Sequence, residues 1–385
     1  MPIRLTSALL LLLFSSVFVT STPVQAEETV SPDSFSIANG QFQSGDENDL
    51  ALSDDSDLSI SRSPFKIQSR VIIETTGLSP TDVPGNFRIR FEGAVFARSV
   101  VTQSIDLFNY STQAWETIDS RSASRFADAV TEVVPTGDPL RFIEAGTGLT
   151  RARLRFDSAS QRQQFAVNID QIAWFVVALT ATDADGNVYD TVRVGDQVWM
   201  AENLKTTSMN DGSPIHLYMN GENWFEGGGT VPMYQWADTS DLNNLYSEEL
   251  PFDFYGAMYN EGALASGTLA PTGWRIPSEQ DFIDLENNLA EDGHLGNEAN
   301  VLKSVYGWHV STGNGSDDYG FNALPNGYVH SFGGPTGAQV IGTWATSDFD
   351  PVGQRRRVVN LFDEATLLYS DNSNRLGAGI RCIRD

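Results

Sequence analysis

The stretch Ala270-Pro-Thr-Gly-Trp-Arg-Ile-Pro-Ser-Glu-Gln-Asp-Phe-Ile-Asp-Leu-Glu286 decides how the second half of the chain is read. Pro277 disfavours helical geometry in the residue before it, so the backbone arrives extended. Ser278 stands where an N-cap belongs, and Asp281 follows three positions later as its capping-box acid. Phe282, Leu285 and Leu289 recur at helical spacing and mark one face for a core. A Pro-rich turn carrying Trp274 therefore delivers the chain abruptly into an amphipathic helix.

The first half runs on a different period. Phe87, Ile89 and Phe91 alternate with Arg88, Arg90 and Glu92, and Ala152, Leu154 and Phe156 alternate with Arg151, Arg153 and Arg155. Both are the pattern of half-buried strands. Val71 to Ile73 and Ser104 to Phe108 add further strands. Phe165, Val167 and Ile169 share one parity, whereas Ile172, Trp174 and Val176 share the other. Strand side chains have period two, so a bulge or a break belongs near Asp170-Gln171. Helical periodicity is almost absent before residue 177. An all-β sandwich, jelly-roll-like, is expected over residues 27–178. Within it, residues 27–65 are acidic and Ser-rich, with the run Asp54-Asp55-Ser56-Asp57, and are expected to be partly flexible, although Phe35, Ile37, Phe42, Leu50, Leu52, Leu58 and Ile60 show intermittent alternation that suits a first strand or two. No Pro/Gly/Ser linker separates this region from a second domain at 180–385, which implies a restrained arrangement.

Composition narrows the setting. The chain carries 24 basic and 50 acidic residues, for a net charge of −26, which disfavours nucleic acid and anionic lipid as partners. Arg4, the apolar run Leu9 to Phe14 and Val24-Gln25-Ala26 have the layout of an export signal with its cleavage site, so residues 1–26 are expected to be removed. No later segment reaches the roughly 18 apolar residues of a membrane span. Cys382 is the single cysteine, so no intramolecular disulfide is available.

The second domain opens with tight turns at Asp185-Gly186 and Gly195-Asp196 between short apolar runs, the mark of a β-meander. Residues 220–256, rich in Trp, Tyr, Asn and Gly, read as long ordered loops of the kind that carry binding surfaces. Asn297 is expected to cap a short helix through Val301, Leu302 and Val305, and strands are expected at 342–347, 357–362 and 379–383.

Seven separated blocks in this region resemble the Fibrobacter succinogenes major paralogous domain. They are Asp185-Gly-Asn-Val-Tyr with Val194-Gly-Asp-Gln-Val-Trp-Met-Ala-Glu-Asn-Leu204, Tyr255-Gly-Ala-Met-Tyr-Asn260, Leu269-Ala-Pro-Thr-Gly-Trp-Arg-Ile-Pro277, Leu302-Lys-Ser304, Gly320-Phe-Asn-Ala-Leu-Pro-Asn-Gly327, Trp344-Ala-Thr-Ser347 and Arg381-Cys-Ile-Arg-Asp385. Two departures stand out. Glu261 occupies a position where the family often has Trp, and Ala270 one where many members have Cys, which leaves Cys382 without the partner the resemblance implies. More distantly, Gly273-Trp-Arg-Ile-Pro-Ser-Glu-Gln-Asp-Phe282 with Gly379-Ile-Arg-Cys382 is similar to the sulfatase-modifying-factor and C-type-lectin-like folds. That similarity implies a loop-rich α+β domain. It does not bring those groups' chemistry, since one cysteine cannot form a catalytic pair and Leu324-Pro-Asn326 lacks the first residue of the lectin sugar motif.

No catalytic residues are assigned, because His216, His294, His309 and His330 are scattered and no paired nucleophile is legible. Calcium is the cofactor the sequence can suggest, with Asp183, Asp185, Asn187 and Asp190 supplying hard oxygens at close spacing. The alternative is that Asp-Gly simply makes a turn. Trp199, Trp274, Trp308 and Trp344 lie in the family blocks and read as core. Trp224 and Trp236, with Tyr234 between them, sit in the loop segment and are the candidate ligand-binding aromatics. The expectation is an exported, extracellular or cell-surface, non-enzymatic protein that binds a polysaccharide or another surface component. A carboxylate-dependent hydrolase or protein-modifying enzyme, or a structural surface-assembly module, are the alternatives.

Overall fold

The structure is a computed structural model that describes residues 26–66, 68–160, 163–219, 221–237 and 251–385. Residues 1–25 of the expected export signal and residues 238–250 of the loop segment lie outside these.

The alternation in the first half builds two packed sheets from eleven strands. These are β1 (Glu28–Val30), β2 (Ser34–Asn39), β3 (Gln41–Ser44), β4 (Leu58–Ser61), β5 (Arg70–Leu78), β6 (Pro84–Phe96), β7 (Val101–Asn109), β8 (Ala114–Ser122), β9 (Ala129–Val133), β10 (Leu149–Ser158) and β11 (Ala166–Ala178). One sheet runs β3-β4-β11-β6-β9, with β1 also on β11, and the other runs β2-β5-β10-β7-β8. Their facing side chains, among them Phe87, Phe91, Phe156 and Trp174, form one buried core. Each such side chain contributes about 1.5–3 kcal/mol by leaving water. On the outer face, Arg153 and Arg155 both reach the fully buried Asp106 carboxylate, at 2.8 and 2.7 Å.

The parity switch in β11 is a bulge inside one continuous strand. Pairing with β6 shifts register between Ile169 and Gln171, which leaves Asp170 unpaired in the ladder. The extra residue lets Val167, Ile169, Ile172, Trp174 and Val176 all face the core. Residues 27–65 supply β1 to β4, more strands than the one or two that their alternation suggests, with Leu50, Leu58 and Ile60 fully buried.

The second half holds thirteen strands and three α-helices among the described residues. A five-stranded sheet is ordered β12 (Thr180–Thr182), β13 (Val188–Val194), β14 (Gln197–Met200), β24 (Ile383–Arg384), β18 (Trp274–Arg275). Beside it lie β15 (His216–Leu217), β16 (Met233–Trp236) and β17 (Ala257–Tyr259), the hairpin β19 (Tyr328–Val329) and β20 (Pro335–Thr336), and the sheet β21 (Gly342–Asp350), β22 (Arg355–Leu361) and β23 (Leu368–Ser373). The helices are α1 (Glu261–Leu264), α2 (Glu279–Leu289) and α3 (Glu298–Leu302).

The capped helix forms as its sequence requires. Ser278 and Asp281 make both bonds of a capping box, and Arg275 holds the Asp281 carboxylate at 2.6 Å. Burial opposes ionisation of Asp281, but Arg275 and the Ser278 donors outweigh it and keep the acid below the usual carboxylate range. Phe282, Leu285 and Leu289 pack into a core with Trp199, Trp308 and Trp344. Trp274 and Arg275 pair with Arg384 and Ile383, so the turn is tied to the C-terminal strand.

Three expectations need correction. Asn297 precedes α3 without a side-chain cap, and Val305 is exposed. The strand expected at 379–383 is regular only from Ile383, because residues 378–379 instead bridge to Tyr259 and Trp344. Strand β23 has no counterpart in the sequence reading. The two halves adjoin through Thr191, whose hydroxyl donates to Leu179 O at 2.9 Å, and through Arg193, which donates to Leu140 O and Ile143 O at 3.3 and 3.2 Å.

Candidate functional site

The loop expected to bind calcium is a self-satisfied turn. Asp183 Oδ1 accepts from the backbone N–H of Asp185 and Asn187, and Oδ2 accepts from Asn187 Nδ2 at 2.9 Å and the Tyr189 hydroxyl at 2.5 Å. Asp185 turns away to accept from the backbone and hydroxyl of Thr207. Asp190 is exposed on β13, with its backbone carbonyl engaged by Ala201 N. Both oxygens of Asp183 and one of Asp185 are thus taken by protein donors, and Asn187 spends its amide on Asp183, so the Asp-Gly turn accounts for this loop without an ion. Among the described residues, no group of three His, Cys, Asp or Glu side chains is placed to hold a metal. Replacing Asp183 with Ala is expected to lower stability by about 2–4 kcal/mol in urea denaturation, since each buried donor left unsatisfied costs about 1–3 kcal/mol.

The candidate aromatics are also redistributed. Trp224 is 1% exposed, packed with Met233, Leu324 and Val329, so its faces are closed to any ligand. Tyr234 is buried as well, and burial raises its phenol pKa. Trp236 is half-buried, edge-on to Tyr234 at 5.3 Å and to Phe252 at 5.1 Å. These three side chains do not make a common platform.

The family blocks converge on one buried polar centre. Asn203 Oδ1 accepts from Arg381 Nε at 3.0 Å, Arg381 Nη2 at 2.8 Å and Trp344 Nε1 at 2.7 Å, while its amide donates to Tyr255 O at 2.9 Å. Arg381 is fully buried, stacks over Phe321 and also donates to Phe321 O. Burial lowers its pKa to about 9, which leaves it charged at neutral pH. Cys382, next to it, is fully buried, and burial pushes its thiol pKa up. The most recognisable residues of the sequence thus hold the fold together and offer no open chemistry.

An accessible site lies on the face of β21–β23. Register places Thr343 opposite Asn360, and Asn360 opposite Leu368. Thr343 donates to Asn360 Oδ1 at 3.1 Å, and Asn360 Nδ2 donates to Ser370 Oγ at 3.1 Å, so the floor is a fixed polar ladder. The β19–β20 hairpin forms the opposite wall. It is anchored by Val329 and Gly377, which exchange backbone bonds of 2.8 and 3.1 Å. Gly377 lies so close to the Trp224 ring and Val329 that a side chain would not fit, which gives Trp224 its place behind the wall. Gly333, at φ +79°, faces the Tyr218 hydroxyl with no room for a Cβ, which locks the hairpin tip.

Between floor and wall runs an open groove of about 650 Å³, lined by Tyr328, His330, Asn360, Phe362, Ser370 and Asn372, with Ile341, Leu368 and Leu376 among its apolar neighbours. Among the described residues, no carboxylate, lysine or arginine lines it. The Tyr328 hydroxyl and the Asn372 amide make no hydrogen bond among the described residues. The groove therefore offers apolar and aromatic surface with a few neutral donors and acceptors, the make-up of a small-molecule or sugar subsite. Sequence reasoning missed it because its residues come from four segments, none with a motif.

A search of curated proteins finds no match for the chain. Among solved structures, a family 29 carbohydrate-binding module mutated at R112 aligns at 10% identity over 38% of this chain and 90% of its own, with a TM-score of 0.25. Another mutant of that module, complexed with cellulohexaose, aligns at 10% identity over 40% and 94%, with a TM-score of 0.26. The CBM36-1 domain of a multidomain xylanase from the hindgut metagenome of Trinervitermes trinervoides aligns at 10% identity over 39% and 96%, with a TM-score of 0.23. Such low scores carry no conclusion about this chain. The model of the Fibrobacter succinogenes major domain, by contrast, matches residues 192–384, the span that holds all but the first few residues of the blocks built around Asn203 and Arg381. By that match, the chain belongs to the Fibrobacter succinogenes major domain family.

Proposed function

We propose that this is an exported, extracellular or cell-surface protein without catalytic activity, and that it binds a neutral glycan in the groove between β21–β23 and the β19–β20 hairpin. The observation that carries this reading is the lining itself. Tyr328 and Phe362 supply ring surface for the C–H face of a pyranose, and Asn372, Ser370 and the Tyr328 hydroxyl supply neutral partners for its hydroxyl groups. Hydrolysis of a glycosidic bond calls for two carboxyl groups flanking the scissile bond, and the groove lining contains none. Export is supported by the sequence pattern of residues 1–26. No helix among the described residues is long and apolar enough to cross a membrane.

We also assign the region after residue 180 to the C-type-lectin-like and sulfatase-modifying-factor group of folds. Its support is the capped helix entered from the Gly-Trp-Arg-Ile-Pro turn and the pairing of that turn with the terminal strand. The sandwich and this region together form the working unit, with the groove on the second part.

The test is binding of the mature chain to an array of neutral plant and cell-wall glycans, followed by Tyr328→Ala and Asn372→Ala. Each variant is expected to weaken binding about tenfold, equivalent to about 1.4 kcal/mol, with an unchanged melting temperature. Full affinity in both variants, or no binding of any neutral glycan by the unmodified protein, would sink the assignment.

A further inference from the structure

A second cavity, of about 600 Å³, opens beside the same sheet and has the opposite electrostatic character. It is lined by Phe225, Gly228, Gln354, Arg355, Asn374 and Arg375, with Gly353, Asp371 and Ser373 completing the rim. Side chains alternate along β23, so Ser370 and Asn372 face the neutral groove while Asp371 and Ser373 belong to this cavity.

Its cations are the unusual feature. Acids outnumber bases 50 to 24 in this chain, so an arginine easily finds a carboxylate. Arg355 and Arg375 nevertheless form no ion pair among the described residues, although they line one cavity. Two of the nearby acids are committed elsewhere. Asp371 pairs with Arg357 at 3.3 Å, and Asp350, the cross-strand partner of Arg355, accepts from the backbone N–H of Val352 and Gly353 at 2.9 and 3.0 Å. Glu226 is exposed in the turn that follows Phe225.

The walls are fixed in advance of any ligand. Arg375 lies over the Phe225 ring at 4.7 Å, which restrains its guanidinium. Gln354 is held at φ +51°, a left-handed conformation costly for a side chain of its size. Asn374, 8% exposed, pins it there twice, donating its backbone N–H to Gln354 O at 3.1 Å and its amide to Gln354 Oε1 at 3.0 Å. Gly228 leaves open space where a Cβ would stand.

We propose that this cavity is an anion subsite that takes the carboxylate of an acidic sugar, a uronic acid unit, through the forks of Arg355 and Arg375. Guanidinium matches carboxylate geometry with two parallel donors, which lysine cannot do. The proposal rests on the glycan reading above and adds an acidic sugar to it. Charges more than about 8 Å away are screened at physiological salt, so the chain's −26 net charge does not bar a carboxylate from this cavity.

Tri-galacturonate and its methyl ester, titrated calorimetrically against the full mature chain, test this directly. The free acid is expected to bind at least tenfold more tightly than the ester. Arg355→Gln and Arg375→Gln are each expected to weaken the acid at least fivefold and to leave neutral-glycan binding in the groove unchanged. Arg355 is exposed and stacks on no ring among the described residues, so its variant remains informative if Arg375→Gln unfolds. Equal affinity for acid and ester, or unaltered affinity in Arg355→Gln, overturns the proposal. So does a sulfated trisaccharide that binds where the galacturonate does not. Loss of neutral-glycan binding with the acid still bound would instead remove the groove and leave this subsite standing.

Discussion

Asn203→Ala is expected to destabilise the protein by roughly 3–5 kcal/mol, because it leaves three buried donors, two of them on a charged group, without their acceptor at about 1–3 kcal/mol each. Three donors converge on Asn203 Oδ1: two from the Arg381 guanidinium and one from the Trp344 indole. Asn203 is 4% exposed and Arg381 and Trp344 are 0 and 1% exposed, so water cannot replace the lost oxygen without opening the core. Arg381 keeps backbone acceptors at Phe321, Met200 and Asn322, which sets the loss nearer the lower end of that range. Asn203→Asp retains the acceptor and adds a countercharge, but forfeits the donor to Tyr255 O, so it is expected to fall between Ala and the native residue. With domain stabilities of about 5–15 kcal/mol, the alanine variant should show a large drop in the urea midpoint. A drop equivalent to less than about 1 kcal/mol, the worth of a single neutral hydrogen bond, would mean that the centre does not hold the fold together.

This centre also shows what could and could not be read from the chain. Features set by neighbours in sequence were legible. The capping box of Ser278 and Asp281 spans three residues, and the bulge at Asp170 appears as a parity switch within one strand. Asn203 and Arg381 are 178 residues apart, and nothing in either local stretch states that they meet. The family resemblance marked both as important without saying why. Trp224 misled for a related reason. It sits in a Gly- and Asn-rich segment that reads as surface, yet Leu324, Val329 and Gly377, from far along the chain, close over it. The Asp-x-Asp-Gly-Asn pattern serves a turn as readily as an ion, and the Tyr189 and Thr207 hydroxyls that take up Asp183 and Asp185 oxygens are not part of that pattern. Strand β23 is illegible because Leu368-Tyr-Ser-Asp-Asn-Ser373 lies on a sheet edge and buries none of its residues, so no alternation was needed. The groove inherits that silence, since β23 is part of its floor.

Glu261→Ala is expected to cost roughly 3–5 kcal/mol as well, and the reason explains one of the chain's departures from its family. At the position where the family resemblance implies Trp, Glu261 opens α1 and meets Arg356 of β22 through two parallel bonds of 2.7 and 2.6 Å. Both side chains are about nine-tenths buried, and Arg356 spends its remaining nitrogen on Thr346 O at 2.8 Å. Removing the acid alone strands a guanidinium between the sheet and the helix. Removing both charges is a different experiment, since apolar replacements of a buried pair are often close to neutral. Glu261→Leu with Arg356→Met should therefore recover most of the stability lost by Glu261→Leu alone, with a coupling energy of about 0.5–3 kcal/mol in a double-mutant cycle. Arg356 lies at the far end of β22 from Asn360, so the rescued double variant should also keep its glycan affinity. A cycle with no coupling would show that the two side chains act independently, and that the ion pair does not compensate for the missing Trp.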